Sequence, residues 1–206
     1  MNMQNLTKIT VAVVVLAILG VIVFTRLTGA SGIAEIDLSG QPVYGNPNAS
    51  VQVVLFEDFL CPHCATFTEN ILPQLKREFG DTDLASFHYI DFLVMDGSDA
   101  PAVAAECVYR QDNDAFWEVN PAMMRSQAIT RDPARAFEIA RDYAPGIDVA
   151  ALEECIADPQ VVADVRAERD MAIAAGATGT PSVFVNGRNV QPSYAAIANA
   201  INAELD

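Results

Sequence analysis

Lysine is almost absent from this 206-residue chain: Lys8 and Lys76 stand beside ten arginines and against 27 acidic residues. Beyond residue 34 ten basic residues face all 27 acids, a net charge of −17. Such a surface repels phosphate backbones, and no basic patch or basic-aromatic stripe offsets it locally, which argues against nucleic acid as a partner. Histidine is equally scarce, and the four cysteines include one CxxC and no second one. Zinc sites built from paired motifs are thereby disfavoured, and no metal or bound cofactor is expected. Internal repeats and low-complexity tracts are missing too, so repeat architectures are not in question. What remains, 51% apolar and 19% charged, is the composition of a globular protein. The length allows one domain, or one carrying an insertion, but hardly two.

The N-terminus points to the compartment. From Ile9 to Phe24 there is no charge, with Lys8 before the run and Arg26 just after it. Residues 1–27 therefore read as a membrane-targeting segment. An uncleaved single-pass anchor and a signal peptide cut after Thr28-Gly29-Ala30 both fit. The run is long for a signal peptide's apolar core, and the anchor is the expectation adopted. Either way the rest of the chain faces an oxidising, extracytoplasmic compartment, where cysteines pair.

Residues 28–50, rich in Gly, Ser, Asn and Pro, read as linker and entry turn, with the domain proper over residues 51–206. Val51–Phe56 is a short β-branched apolar run, the pattern of a strand covered on both faces. Phe67, Ile71, Leu72, Leu75 and Phe79 then recur at helical spacing, with a kink expected at Pro73. Ala85–Val94 is a second strand. From about 98 to 176 the pattern is helical, four or five helices with Asp99, Asp132, Asp148 and Asp158 as N-caps and Pro133 and Pro159 in first turns. Pro181–Val185, a turn at Asn186-Gly187 and Arg188–Gln191 form a hairpin signal, and Ser193 caps a last helix.

Cys61-Pro62-His63-Cys64 sits where the first buried strand hands over to a helix. Cys61 thus lies at a helix N-terminus, where unpaired N–H groups and the helix dipole favour a thiolate. Pro62 occupies the first turn, and His63 supplies a donor or a positive charge nearby. Stabilising the thiolate stabilises the reduced form, which makes the disulfide form the stronger oxidant. Cys64, one turn on, is placed to resolve a mixed disulfide at Cys61. A structural bridge across two residues would close too short a loop to stabilise much.

Two motifs resemble the DsbA-like branch of the thioredoxin superfamily, and its membrane-anchored members in particular. One runs from Gly45-Asn46-Pro47-Asn48-Ala49 through the strand to Phe59-Leu60-Cys61-Pro62-His63-Cys64; the other is Gly176-Ala177-Thr178-Gly179-Thr180-Pro181 leading into Ser182–Gly187. The resemblance implies an α/β thioredoxin fold with a helical insertion between the second strand and the cis-proline strand. It also implies a cis bond between Thr180 and Pro181, packed against the CPHC pair, with the Thr180 backbone receiving an extended substrate. The implied activity is introduction of disulfides into exported proteins with free cysteines, the enzyme being reoxidised by a membrane quinone-linked partner of the DsbB or vitamin-K-epoxide-reductase type.

One departure from the family pattern stands out. Many relatives carry a buried acid six residues before the first cysteine, where this chain has Leu55; Glu57 and Asp58 lie nearby as candidate proton relays, although acids at a strand's exposed end are more often solvated. Cys107 and Cys155 fall on separate helices of the insertion, and an even cysteine count in an oxidising compartment favours a structural bridge between them. Closing a loop of about 49 residues contributes roughly 4 kcal/mol in the chain-entropy model. Two other readings stand beside the oxidase: an isomerase or reductase fed with electrons from the membrane, and a thioredoxin-fold binding module or chaperone without catalysis. Intact CPHC and Thr180-Pro181 argue against the last.

Overall fold

The computed structural model describes residues 36–206, so the membrane-targeting segment expected at residues 1–27 lies outside the described residues. Among the described residues no helix is long and apolar enough to cross a membrane. In chain order the elements are β1 (Val43–Tyr44), β2 (Val51–Glu57), α1 (Pro62–Asn70), α2 (Leu72–Leu75) with a π turn at Lys76–Gly80, and β3 (Ala85–Asp91). There follow α3 (Asp99–Tyr109), α4 (Asn113–Arg125), α5 (Gln127–Thr130), α6 (Pro133–Tyr143), α7 (Val149–Ala157) and α8 (Pro159–Ala174). The chain closes with β4 (Ser182–Val185), β5 (Arg188–Val190) and α9 (Tyr194–Leu205).

The strands form one mixed sheet in the order β1-β3-β2-β4-β5, with β2 and β3 parallel and the other pairs antiparallel. The period of two along β2 sorts its side chains into two cores. Val51, Val53 and Leu55 join Phe87, Tyr89, Val183 and Val185 under the helices on one face. Val54 and Phe56 join Ile90, Phe92 and Phe184 on the other, under Ala172 and Ala175 at the C-terminal end of α8. Both central strands are therefore covered on both faces, as their apolar runs require.

The expected kink is present: Pro73 lacks an amide hydrogen, and the helix begun at Pro62 breaks between Asn70 and Leu72 before resuming as α2. Asp132, Asp148 and Asp158 cap their helices through side-chain oxygens. Asp99 does not. Ser98 stands at that cap position with its hydroxyl turned to Asp58, and Asp99 is the first helical residue, its carboxylate bonded by Arg166 at 2.7 Å. Asp112 is a further cap, accepting from the amides of Asp114 and Ala115. The insertion holds five helices of nine residues or more, plus the four-residue α5. Asn186 and Gly187 both have positive φ (44° and 76°), the geometry that matches a two-residue hairpin turn to strand twist.

The stretch read as linker is partly built into the domain. Val43 and Tyr44 pair with His88 and Phe87 of β3, while Ile36 and Leu38 pack on the second core. Two residues of strand leave too short a pattern to read. Gly45 follows with φ +86°, and a Cβ there would stand 2.9 Å from the Ala85 carbonyl oxygen, so glycine is what lets β1 close on β3. Cys107 of α3 and Cys155 of α7 are joined by a disulfide, S–S 2.06 Å, which staples two helices of the insertion.

Between β3 and α8 lies a pair of like-charged groups. Glu168 Oε2 accepts from the Asp91 amide at 2.6 Å and its Oε1 from Gln41 at 3.2 Å, beside the buried Asp91 carboxyl. Burial lifts Glu168 to about 7, and burial with the nearby Glu168 lifts Asp91 well above the carboxylate range. Because the folded value is raised, the stability contribution is complete below the ordinary carboxylate pKa and is lost as pH rises through about 7. In the oxidised protein, stability against thermal unfolding should therefore fall by about 1–2 kcal/mol more in the wild type than in Glu168→Gln between about pH 5 and about pH 8. Identical pH profiles for the two proteins would contradict the assignment.

Candidate active site

Strand β2 delivers the redox motif to one end of the sheet. Glu57 closes the strand, Asp58 starts the turn, and Cys61 is the N-cap of α1 with Pro62 as its first helical residue. Two contacts fix the loop between them. The carboxylate of Asp58, fully buried, accepts from the amides of Leu60 (2.8 Å), Val94 (2.7 Å) and Met95 (2.8 Å) and from the Ser98 hydroxyl (2.6 Å). From the insertion, Gln127 Nε2 donates to the carbonyls of Phe59 and Cys61, both at 2.8 Å. Asp58 is thus the joint at which strand end, redox loop and insertion meet, and Gln127 is a second tie.

The cysteines are present as a dithiol, and their environments differ. Cys61 Sγ lies 3.4 Å from the Thr180 carbonyl oxygen, at the start of the cis Thr180-Pro181 bond. The neighbouring Cys64 thiol, as a donor, brings Cys61 down to about 5, against burial; contacts at Thr180 and the amides of Cys64 and His63 act in the same direction. Cys64 is completely buried, and burial together with Cys61 and the nearby Glu57 pushes it far above the ordinary thiol range. One sulfur is made to ionise and the other to keep its proton. The imidazole of His63 is exposed, so the part of that residue nearest the chemistry is its backbone amide.

Glu57 and Asp58, for which solvation was the commoner expectation, are both fully buried. The reason is local: β2 runs one residue beyond the apolar stretch, and the loop 92–98 folds over its end, with the Phe92 amide donating to the Glu57 carbonyl at 2.7 Å. Thr68 donates to Glu57 Oε2 at 3.2 Å, and Oε1 has no partner among the described residues. Burial raises Glu57 to about 8, with a further push from Cys61. Leu55, at the position where relatives carry their acid, is a core residue of the sheet. Among the described residues no group of three or more His, Cys, Asp or Glu side chains is arranged to hold a metal ion. Gln127 went unread as a site residue, and Asp58 was read only as a candidate relay and not as the tie its hydrogen bonds make it; a glutamine on a short helix carries no local sign of a contact 66 residues away.

A strand-to-helix dithiol facing a Thr-cis-Pro loop defines a thiol–disulfide oxidoreductase of the thioredoxin class. Residues 37–203 match the family model described as Thioredoxin. The chain is 32% identical over 206 residues to the probable disulfide bond formation protein D of Bacillus anthracis, covering 96% of this chain and 94% of that one. It is 28% identical over 175 residues to disulfide bond formation protein D of Bacillus subtilis, covering 82% and 78%. Among solved structures, oxidised BdbD from Bacillus subtilis superposes with a TM-score of 0.74 at 27% identity, covering 83% of this chain and 96% of that one. DsbA of Chlamydia trachomatis shares the fold at a TM-score of 0.71 and 22% identity, over 79% and 88% of the two chains. The chain belongs to the thioredoxin family, among its DsbA-like disulfide oxidoreductases.

The asymmetry of the two sulfurs has a direct readout. Alkylation of the reduced protein at mildly acidic pH should label Cys61 alone. Cys64→Ala should raise the Cys61 pKa from about 5 towards the ordinary thiol value, Cys64→Ser should raise it less because a hydroxyl donor remains, and His63→Ala should move it less than Cys64→Ala. Labelling of Cys64 first would contradict this arrangement.

Proposed function

We propose that this chain oxidises dithiols in exported proteins, with Cys61 as the sulfur exchanged with substrate and Cys64 as its buried partner. The supporting observation is the split between the two thiols: Cys61 drawn down to about 5 and Cys64 driven upward at the same helix end. A substrate thiolate attacks Cys61 Sγ of the oxidised pair, the Cys61–Cys64 bond breaks, and Cys64 departs with the electron pair. Buried as it is, Cys64 must be protonated as it leaves, and Glu57, neutral below about 8, is the acid at hand. The second substrate thiolate then attacks the substrate sulfur of the mixed disulfide. Cys61 leaves as a stabilised thiolate, the substrate carries its new disulfide, and two electrons remain on the enzyme.

The Thr180 backbone is the proposed receiving edge for an extended substrate segment, with Pro181 beside it guarding the sulfurs. Residues 1–27 are proposed to tether the domain on the outer face of the cell membrane, next to a membrane quinone-linked reoxidant of the DsbB or vitamin-K-epoxide-reductase type. The even cysteine count and the Cys107–Cys155 bridge support an oxidising compartment.

The direction of electron flow is tested by equilibrating the Cys61/Cys64 pair with glutathione buffers. A reduction potential well above the thioredoxin value of about −270 mV is expected, since stabilising the Cys61 thiolate favours the reduced form. A potential at or below that value would favour a reductase and overturn the oxidase reading.

A further inference from the structure

Between the broken helix α1–α2, strand β1 and helix α4 lies a cleft of about 240 Å³ that the redox chemistry does not use. The rings of Tyr44 and Trp117 and the side chain of Leu72 form apolar walls; Lys76 and Asn120 are polar groups in its lining. Asn120 is 1% exposed, yet neither its amide nitrogen nor its oxygen has a partner among the described residues. Buried amides are normally satisfied, so two orphaned atoms on one side chain in the wall of a cleft call for a partner that enters it.

Lys76 adds a second and independent sign. Its ammonium stands 3.7 Å from the centre of the Tyr44 ring and 4.8 Å from that of Trp117, and no carboxylate among the described residues lies within ion-pair distance. Burial lowers it to about 8, with only the longer-range fields of Glu118 and Asp81 opposing. It is the sole lysine of residues 36–206 in a strongly acidic chain, held half-desolvated without a counter-ion. Exposed Arg77 lies beside it in the same lining.

We propose that this cleft binds a short-chain aliphatic carboxylate. One carboxylate oxygen would meet the Lys76 ammonium and the other would accept from Asn120 Nδ2, with Asn120 Oδ1 accepting from a water carried in with the ligand, while the alkyl part lies against Leu72 and the aromatic rings. Inorganic phosphate would leave the apolar surface of Leu72, Pro73, Pro121 and the two rings unfilled, which an alkyl chain covers. The volume corresponds to about eight water molecules at roughly 30 Å³ each, enough for an acid of about five carbons.

Trp117, the chain's only tryptophan, lines the cleft and makes binding visible. The full chain in detergent is titrated with isovalerate, with its neutral isostere isovaleramide and with inorganic phosphate, following tryptophan fluorescence and, in parallel, heat of binding. Saturable isovalerate binding with a Kd on the order of 1 mM is expected, at least about tenfold weaker for isovaleramide and for phosphate. Asn120→Leu should weaken isovalerate about tenfold and Lys76→Met should abolish saturation, with alkylation of Cys61 unchanged in both. No saturable signal with isovalerate, equal binding of isovaleramide or phosphate, or full binding by folded Lys76→Met would each overturn the proposal. Should Lys76→Met not fold, the comparison of isovalerate with isovaleramide on the wild type decides.

Discussion

The sulfur of Cys61 is held where a negative charge is favoured, and the rest of the domain is arranged around that one constraint. The Cys64 thiol is the largest contributor, and it can donate only because burial keeps its own proton in place. The helix that carries both cysteines must start at Cys61, which Pro62 in its first turn favours. The antiparallel pairing of β4 with β2 brings Thr180 beside Cys61, where its carbonyl accepts from the thiol form at 3.4 Å. A stabilised thiolate, a protonated partner and the neighbouring half-buried Thr180-Pro181 segment therefore arise from one strand-to-helix junction and one loop.

Acidic groups placed inside the protein do much of the joining. Asp58 ties the redox loop to the 94–98 loop and so to the insertion, through four hydrogen bonds at 2.6–2.8 Å. Glu57 sits one residue earlier, its carboxyl bonded among the described residues by Thr68 alone and largely neutral below about 8. The contrast is one of donors: Asp58 has three amides and a hydroxyl as partners, whereas Glu57 has a single hydroxyl and burial raises it to about 8. Asp91 and Glu168 repeat the second situation between β3 and α8, where they share too few donors for two charges. Glu168 lies on the helix leading into Gly176 and the Thr180-Pro181 loop and Asp91 at the end of β3, so the insertion's last helix reaches the sheet through groups that prefer to be protonated.

Much of this was legible in the sequence wherever the signal is local. The apolar run Val51–Phe56 reads as a doubly covered strand, Asn186-Gly187 as a hairpin turn and Pro73 as a break, because each depends on neighbours within a few residues. Cys61 and Cys64 were readable from spacing alone. Long-range contacts were not: nothing near Gln127 announces its bonds to the carbonyls of Phe59 and Cys61, and nothing near Asn120 announces an unsatisfied amide. Val43–Tyr44 escaped because two residues carry no period, and Asp99 was misplaced as a cap because Ser98, one residue earlier, takes that position. Glu57 and Asp58 illustrate a further limit, since charge at a strand end signals water unless the fold of a distant loop is already known.

The central claim is that the reduced protein carries a thiolate at Cys61 under conditions where an ordinary cysteine is a thiol. Ultraviolet thiolate absorbance of the reduced full chain, followed as a function of pH, tests it most directly. A single ionisation near the value of about 5 is predicted, absent from Cys61→Ser and retained in a variant lacking Cys107 and Cys155. A midpoint at the free-cysteine value of about 8.5 would contradict the account.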